Sequence, residues 1–142
     1  MKKIFLDANI VLDLLDSTRN SHNISKNVFE YLINSNYTIV IPEDILTTIY
    51  YIVKNKKAVL EFFETIITYW EIVSFGTKVI SDAINICKSN SVLDFEDVIQ
   101  SLCAKESNCE AIISNDNTFY NCGIPVMKAN EFIDPFKLDL QP

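Results

Sequence analysis

Short apolar runs alternate along the chain with longer stretches in which apolar residues recur every three or four positions. The first run, "KKIFLDAN", turns polar at Asp7, the pattern of a buried strand closing on a turn. "NIVLDLL" continues as helix, and between Asn20 and Asn34 the residues Ile24, Val28, Phe29, Tyr31 and Leu32 fall at helical spacing. "YTIVIP" predicts a second strand stopped by Pro42, a residue suited to the first turn of the next helix. "EDILTTIYYIVKN" and "AVLEFFETIITYW" predict two helices, "EIVSF" a third strand, and Lys78 to Lys88 another helix. A further helix is predicted over about residues 94 to 107. "EAIISND" reads as a fourth strand with a polar end, and "IPVMKANEFI" as a fifth short strand followed by a helical turn.

The strands are apolar throughout and alternate with helices, and only 2 residues are glycine. That pattern favours a parallel sheet covered on both faces. The expected fold is α/β, a three-layer sandwich around a central, mostly parallel sheet of four to five strands. With 142 residues, no repeat, no low-complexity tract and no linker, one domain over residues 1–142 is expected.

Composition narrows the setting. Hydrophobic residues make up 49% and charged residues 22%, which excludes a disordered chain. The four cysteines form no C-x-x-C pair; Cys87 and Cys103 fall in helical apolar patterns, as small buried hydrophobes do in a reducing compartment. Asp7 and Asp13 interrupt the apolar start, so it does not read as a signal peptide, and no run approaches the ~18 apolar residues of a membrane span. A cytoplasmic protein without a membrane partner is expected. The formal net charge of -7 argues against broad attraction to nucleic acid but leaves room for a local basic rim. Lys54, Lys56 and Lys57 form the dense basic cluster, for which a solvated helix–helix turn is the simpler account; Arg19 is the sole arginine. Tyr50, Tyr51 and Tyr69 suit the core better than a dimer surface.

The chemistry lies in the acids. In open parallel sheets the ligand crevice lies beyond the carboxyl ends of the strands. Asp7 and Asp116 sit where the first and fourth strands end, and "DFED" opens the helix that follows. Asp94 and Asp97 are three apart and share a helix face, while Glu96 points elsewhere. Capping would account for Asp94 and a turn for Asp116. Asp7 is harder to dismiss, because a carboxylate directly after a buried strand needs a partner. Four carboxylates converging on one crevice would repel, and some would take up protons. A divalent cation removes the conflict, and an all-oxygen donor set suits Mg²⁺ or Mn²⁺ better than zinc. The single histidine, His22, stands in a polar stretch and is discounted as ligand or base.

"FLDANIVLDLL", "TTIYYIVK", "DFEDVIQSLCAKESNCEAIISND" and "GIPVMKANEF", in that order, resemble the PIN domain family, the fold of VapC-type toxin ribonucleases. The resemblance spans nearly the whole chain. It implies a metal-dependent endoribonuclease, with Asp7, Asp94, Asp97 and Asp116 as catalytic and metal-holding acids around one or two Mg²⁺ or Mn²⁺ ions. Asn9 and Ser114 would support them. It also implies RNA as substrate, a toxin–antitoxin pairing with an antitoxin segment over the acidic pocket, and room for a homodimer.

The chain departs from the pattern at three points. Thr48 stands at the family's second acid, with Asp44 one turn earlier on the same face as a substitute. Asn115 replaces a usual arginine, and Thr118 stands where some relatives carry a further acid. A catalytically weak or inactive PIN-fold module binding RNA or protein is therefore the alternative. Phosphotransfer on Asp7 fits poorly, since Asn9 stands where a phosphatase of that type expects a second acid.

Overall fold

The computed structural model describes residues 2–132. The chain runs β1 (Lys3–Leu6), α1 (Ala8–Leu15), α2 (His22–Asn34), β2 (Thr38–Pro42), α3 (Ile45–Ile52), α4 (Lys56–Tyr69), β3 (Glu71–Val73), α5 (Gly76–Ser89), α6 (Phe95–Glu106), β4 (Ala111–Ile113) and β5 (Val126–Met127). A helical turn at 129–132 follows. Pro42 is the exception to the sequence expectation. It closes β2 opposite Val73 instead of opening a helix, and the bond to the Val73 carbonyl is made by the Glu43 N–H, so the missing proline N–H costs the ladder nothing.

All five strands are parallel, in the order β3-β2-β1-β4-β5. Central β1 pairs on both sides, with Ile4 opposite Ile39 and Ala111. Its alternating side chains feed two cores. Ile4 and Leu6 join Ile39, Ile41 and Ile113 under α1 to α4, whereas Phe5 joins Val40 and Ile112 against Cys103 and Ala104 of α6. A third cluster sets Val79 and Ala83 of α5 on Val98 and Ile99 of α6. Helix α6 is thus enclosed between the sheet and α5. That explains why it buries Gln100 and Ser101 as well as its apolar stripe.

The aromatic expectation is corrected: Tyr51 is 82% and Tyr69 73% exposed, and only Tyr50 is half-buried. Both lie on exposed faces of their helices, α3 and α4. The lysine turn holds to its simpler account. Lys56 Nζ donates to the carbonyls of Tyr50 and Val53, capping the C-terminal end of α3, and lies over the Tyr50 ring. The four cysteines are free; Cys103 and Cys109 are buried and Cys87 half-buried. Among the described residues no helix is long and apolar enough to cross a membrane.

Candidate acidic site

Because the strands are parallel, their carboxyl ends share one edge, and the chain leaves β1, β2 and β4 there at Asp7, Glu43–Asp44 and Ser114. Asp7 is 4% exposed. Its N–H continues the sheet by donating to the Ile113 carbonyl at 3.1 Å, which fixes the residue at the strand end. Burial raises its carboxyl above the ordinary value of 3.8; the Ser114 hydroxyl, donating to Oδ2 at 2.9 Å, opposes that, as do the backbone N–H groups of Asn9 and Ala8 at the start of α1. The partner a buried carboxylate needs is therefore Ser114, itself 1% exposed. The same hydroxyl accepts the Asp116 N–H at 3.2 Å, so one buried serine ties together the ends of β1 and β4.

Asp116 is held by Thr118, whose N–H and hydroxyl both donate to Oδ1, at 2.9 and 2.8 Å. Those bonds lower its pKa, aided by a hydrogen bond with Asp97. Asp97, in the first turn of α6, is raised from 3.8 to about 7, first by desolvation, then by the charges of Asp94, Asp7 and Asp116 and by the same bond to Asp116. Of this group Asp97 is the acid that takes up a proton most readily. Asp94, Asp7 and Asp116 thus all act on Asp97.

Asp94 takes the capping role that its place before the helix allowed: it is the N-cap of α6, its Oδ1 accepting the Asp97 N–H at 3.0 Å. One expectation is corrected. Glu96 does not point away. Desolvation and then the charges of Asp44, Asp94 and Asp7 raise its pKa, and Gln100 Nε2 donates to its Oε1 at 3.3 Å. Asp44 stands directly before α3 with helical backbone dihedrals, one turn ahead of Thr48, and its carboxyl is raised by desolvation.

Asn9 assists Asp7 through its backbone, while its side chain faces Arg19. Asn115 has a structural task, its Oδ1 accepting the Ala129 N–H at 3.0 Å. His22 is turned to the Asp13 carbonyl, 2.8 Å from Nδ1. Sequence reasoning missed Glu96, the nine-tenths-buried Gln100 and the Thr118 clamp. Thr118 alone had a local signal, an aspartate with a hydroxyl residue two positions on, the spacing of an Asx turn.

Among the described residues no three acid, histidine or cysteine side chains stand close enough together, as placed, to hold a metal ion. The donor chemistry nevertheless fits a hard divalent cation. The groups that act on one another there offer carboxylate and hydroxyl oxygens only.

An all-parallel α/β sheet with acids at the carboxyl ends of its inner strands is the architecture of PIN domains, and a model of the PIN domain matches residues 3–118. The chain belongs to the PIN domain family. It is 30% identical over 136 residues to ribonuclease VapC1 of Aquifex aeolicus, covering 94% of each chain. Its fold is similar to that of VapC20 of Mycobacterium tuberculosis, a toxin that cleaves the sarcin–ricin loop, with a TM-score of 0.69, 13% identity, and 85% and 95% of the two chains covered. It is also similar to a chain of the VapBC2 complex of Rickettsia felis bound to a promoter DNA fragment, with a TM-score of 0.67, 18% identity, and 89% and 98% covered.

Proposed function

We propose that the chain is a metal-dependent endoribonuclease and the toxin of a toxin–antitoxin pair, with Asp7, Asp94, Asp97 and Asp116 holding Mg²⁺ or Mn²⁺. The observation that carries this is the mutual perturbation of the acids, above all an Asp97 raised to about 7 by burial and by the charges of the other three. The Aquifex relative bears the name ribonuclease, the Mycobacterium neighbour cleaves an RNA loop, and the Rickettsia neighbour is a complex of the VapBC type. A bound divalent cation supplies charge neutralisation at a phosphodiester and an activated water for in-line attack. Ser114 orients Asp7 by a hydrogen bond to one of its carboxylate oxygens. Thr118 holds Asp116 in place and keeps it ionised. Asp97, its carboxyl raised to about 7, would hold a cation as the carboxylate or accept a proton from an attacking water. An antitoxin segment with a basic side chain suits a pocket of this charge.

A catalytically weak binding module is favoured by one observation: Thr48 presents an exposed hydroxyl, not an acid, on α3. Metal binding separates the two readings. Thermal unfolding is measured with and without Mn²⁺ on wild type, Asp7→Asn and Asp97→Asn, followed by cleavage of labelled RNA with and without EDTA. The expected result is a Mn²⁺-dependent gain in stability, ~2.7 kcal/mol at a hundred times the dissociation constant. Both variants should lose that gain, and EDTA should abolish cleavage. No gain in wild type, with variants at least as stable, would leave the binding module.

A further inference from the structure

The sole arginine lies in the turn between α1 and α2 and reaches back along α1. Arg19 Nε donates to Asp13 Oδ1 at 2.7 Å, and Asp13 is only 6% exposed. Arg19 Nη2 leans on Asn9 Oδ1 at 3.5 Å. Asn9 and Asp13 are four residues apart and share one face of α1, so the guanidinium lies along that face from its second turn to its first. The first turn is the one that begins at Asp7. His22 secures the arrangement from the other side, its Nδ1 meeting the Asp13 carbonyl and pinning the start of α2 to α1.

We propose that Arg19 is a phosphate-binding residue, which holds an RNA backbone phosphate beside the acidic site. The inference rests on the nuclease reading above and adds how an acidic protein receives a polyanion. With a net charge of -7 and acids gathered at the sheet edge, RNA is repelled unless a cation stands at the rim. Several other cations are engaged: Lys56 by the carbonyls that end α3, Lys3 by Glu71, and Lys78 by Glu106. Lys3 opens β1 and so lies at the opposite edge of the sheet.

A guanidinium carries five N–H donors in a planar fork. Asp13 takes the Nε donor and Asn9 one Nη2 donor, which leaves the two Nη1 donors and the second on Nη2 for the oxygens of a phosphate. About a third of the Arg19 side chain remains exposed, enough for such a ligand to reach it. Because the buried Asp13 already holds the guanidinium, little side-chain freedom is lost when a phosphate binds. Lysine in its place would neutralise Asp13 but offer a point charge in place of a fork.

The experiment is binding of a fluorescein-labelled single-stranded RNA of mixed sequence, followed by anisotropy with Ca²⁺ present, over a range of KCl. It compares wild type, Arg19→Gln, Asp13→Asn and the double variant Asp13→Asn/Arg19→Gln. The double variant replaces the ion pair with two neutral amides, so it does not strand a buried charge, and its comparison with Asp13→Asn isolates the guanidinium if Arg19→Gln alone fails to fold. Loss of the guanidinium should weaken binding about tenfold, as for a hydrogen bond to a charged group. It should also make the slope of log affinity against log salt shallower by ~0.7, one phosphate contact on a single strand. A purely structural Arg19 would change the melting temperature and leave that slope alone; an unchanged slope in the double variant relative to Asp13→Asn overturns the proposal. Wild type that neither binds nor cleaves RNA overturns the nuclease reading along with it.

Discussion

Asp97 stores the site's electrostatic conflict in one residue. Its pKa stands at about 7 in the folded protein against 3.8 in an unperturbed chain. Between those values the native state keeps a proton that the unfolded chain has released, so raising the pH draws the equilibrium toward unfolding. In metal-free protein the contribution of Asp97 to stability should therefore fall from about pH 4 to about pH 7 and then level off. Asp116 works in the opposite sense, since its lowered pKa adds stability that is lost only as the pH falls through that low value. Urea denaturation in EDTA across this range should show Asp97→Asn without the fall, and more stable than wild type above neutrality. Parallel profiles for the two proteins would remove Asp97 from the centre of the site. That Asp7, Asp97 and Asp116 belong together was legible from their places at strand ends and a helix start. That Ser114 is the buried partner of Asp7 was not legible from residue chemistry, since the two lie 107 positions apart and meet only through the register of β1 with β4.

At the scale of the element, helical periodicity identified faces correctly and first turns poorly. Asp94 suited a helix face or a cap and proves to be the N-cap of α6, a choice the pattern could not make because it does not mark where helical backbone begins. For Asp94 this gives the side chain two tasks that substitution can part. Asp94→Ala removes the bond to the Asp97 N–H and should cost about 1 kcal/mol. Asp94→Ser restores an oxygen to the cap without the charge, and should bring stability back to within about 0.5 kcal/mol of wild type. If the Asp94 carboxylate also holds metal, Asp94→Ser should lose most of the Mn²⁺-dependent rise in melting temperature despite its intact fold. A full rise in that variant would leave Asp94 a cap alone. Glu96 shows the same limit in reverse. Spacing set it apart from Asp97, but Gln100 one turn on is buried between the sheet and α5, and its amide binds the Glu96 carboxylate beside the other acids.

At the scale of the molecule, the alternation of apolar strands with amphipathic helices was enough to give the parallel sheet, because only crossover helices covering both faces can bury strands that are apolar throughout. What alternation cannot give is which helical faces stay uncovered. Tyr51 and Tyr69 carry the same apolar spacing as core residues, yet α3 and α4 turn them outward, and they stay exposed. The difference has a measurable size. Phe5, fully buried on central β1, packs between the sheet and α6, and Phe5→Ala should cost about 3–5 kcal/mol through lost burial and the cavity left behind. That is a large share of the roughly 5–15 kcal/mol that keeps a domain folded. Tyr51→Ala, in a monomer, should change stability by no more than about 0.5 kcal/mol. The two are compared by the midpoint of urea unfolding at constant slope, at two protein concentrations. A Tyr51→Ala loss of several kcal/mol that fades as wild type is diluted would mean that a second copy covers the α3–α4 face in solution. A small, concentration-independent change would mean that no second copy covers that face in solution.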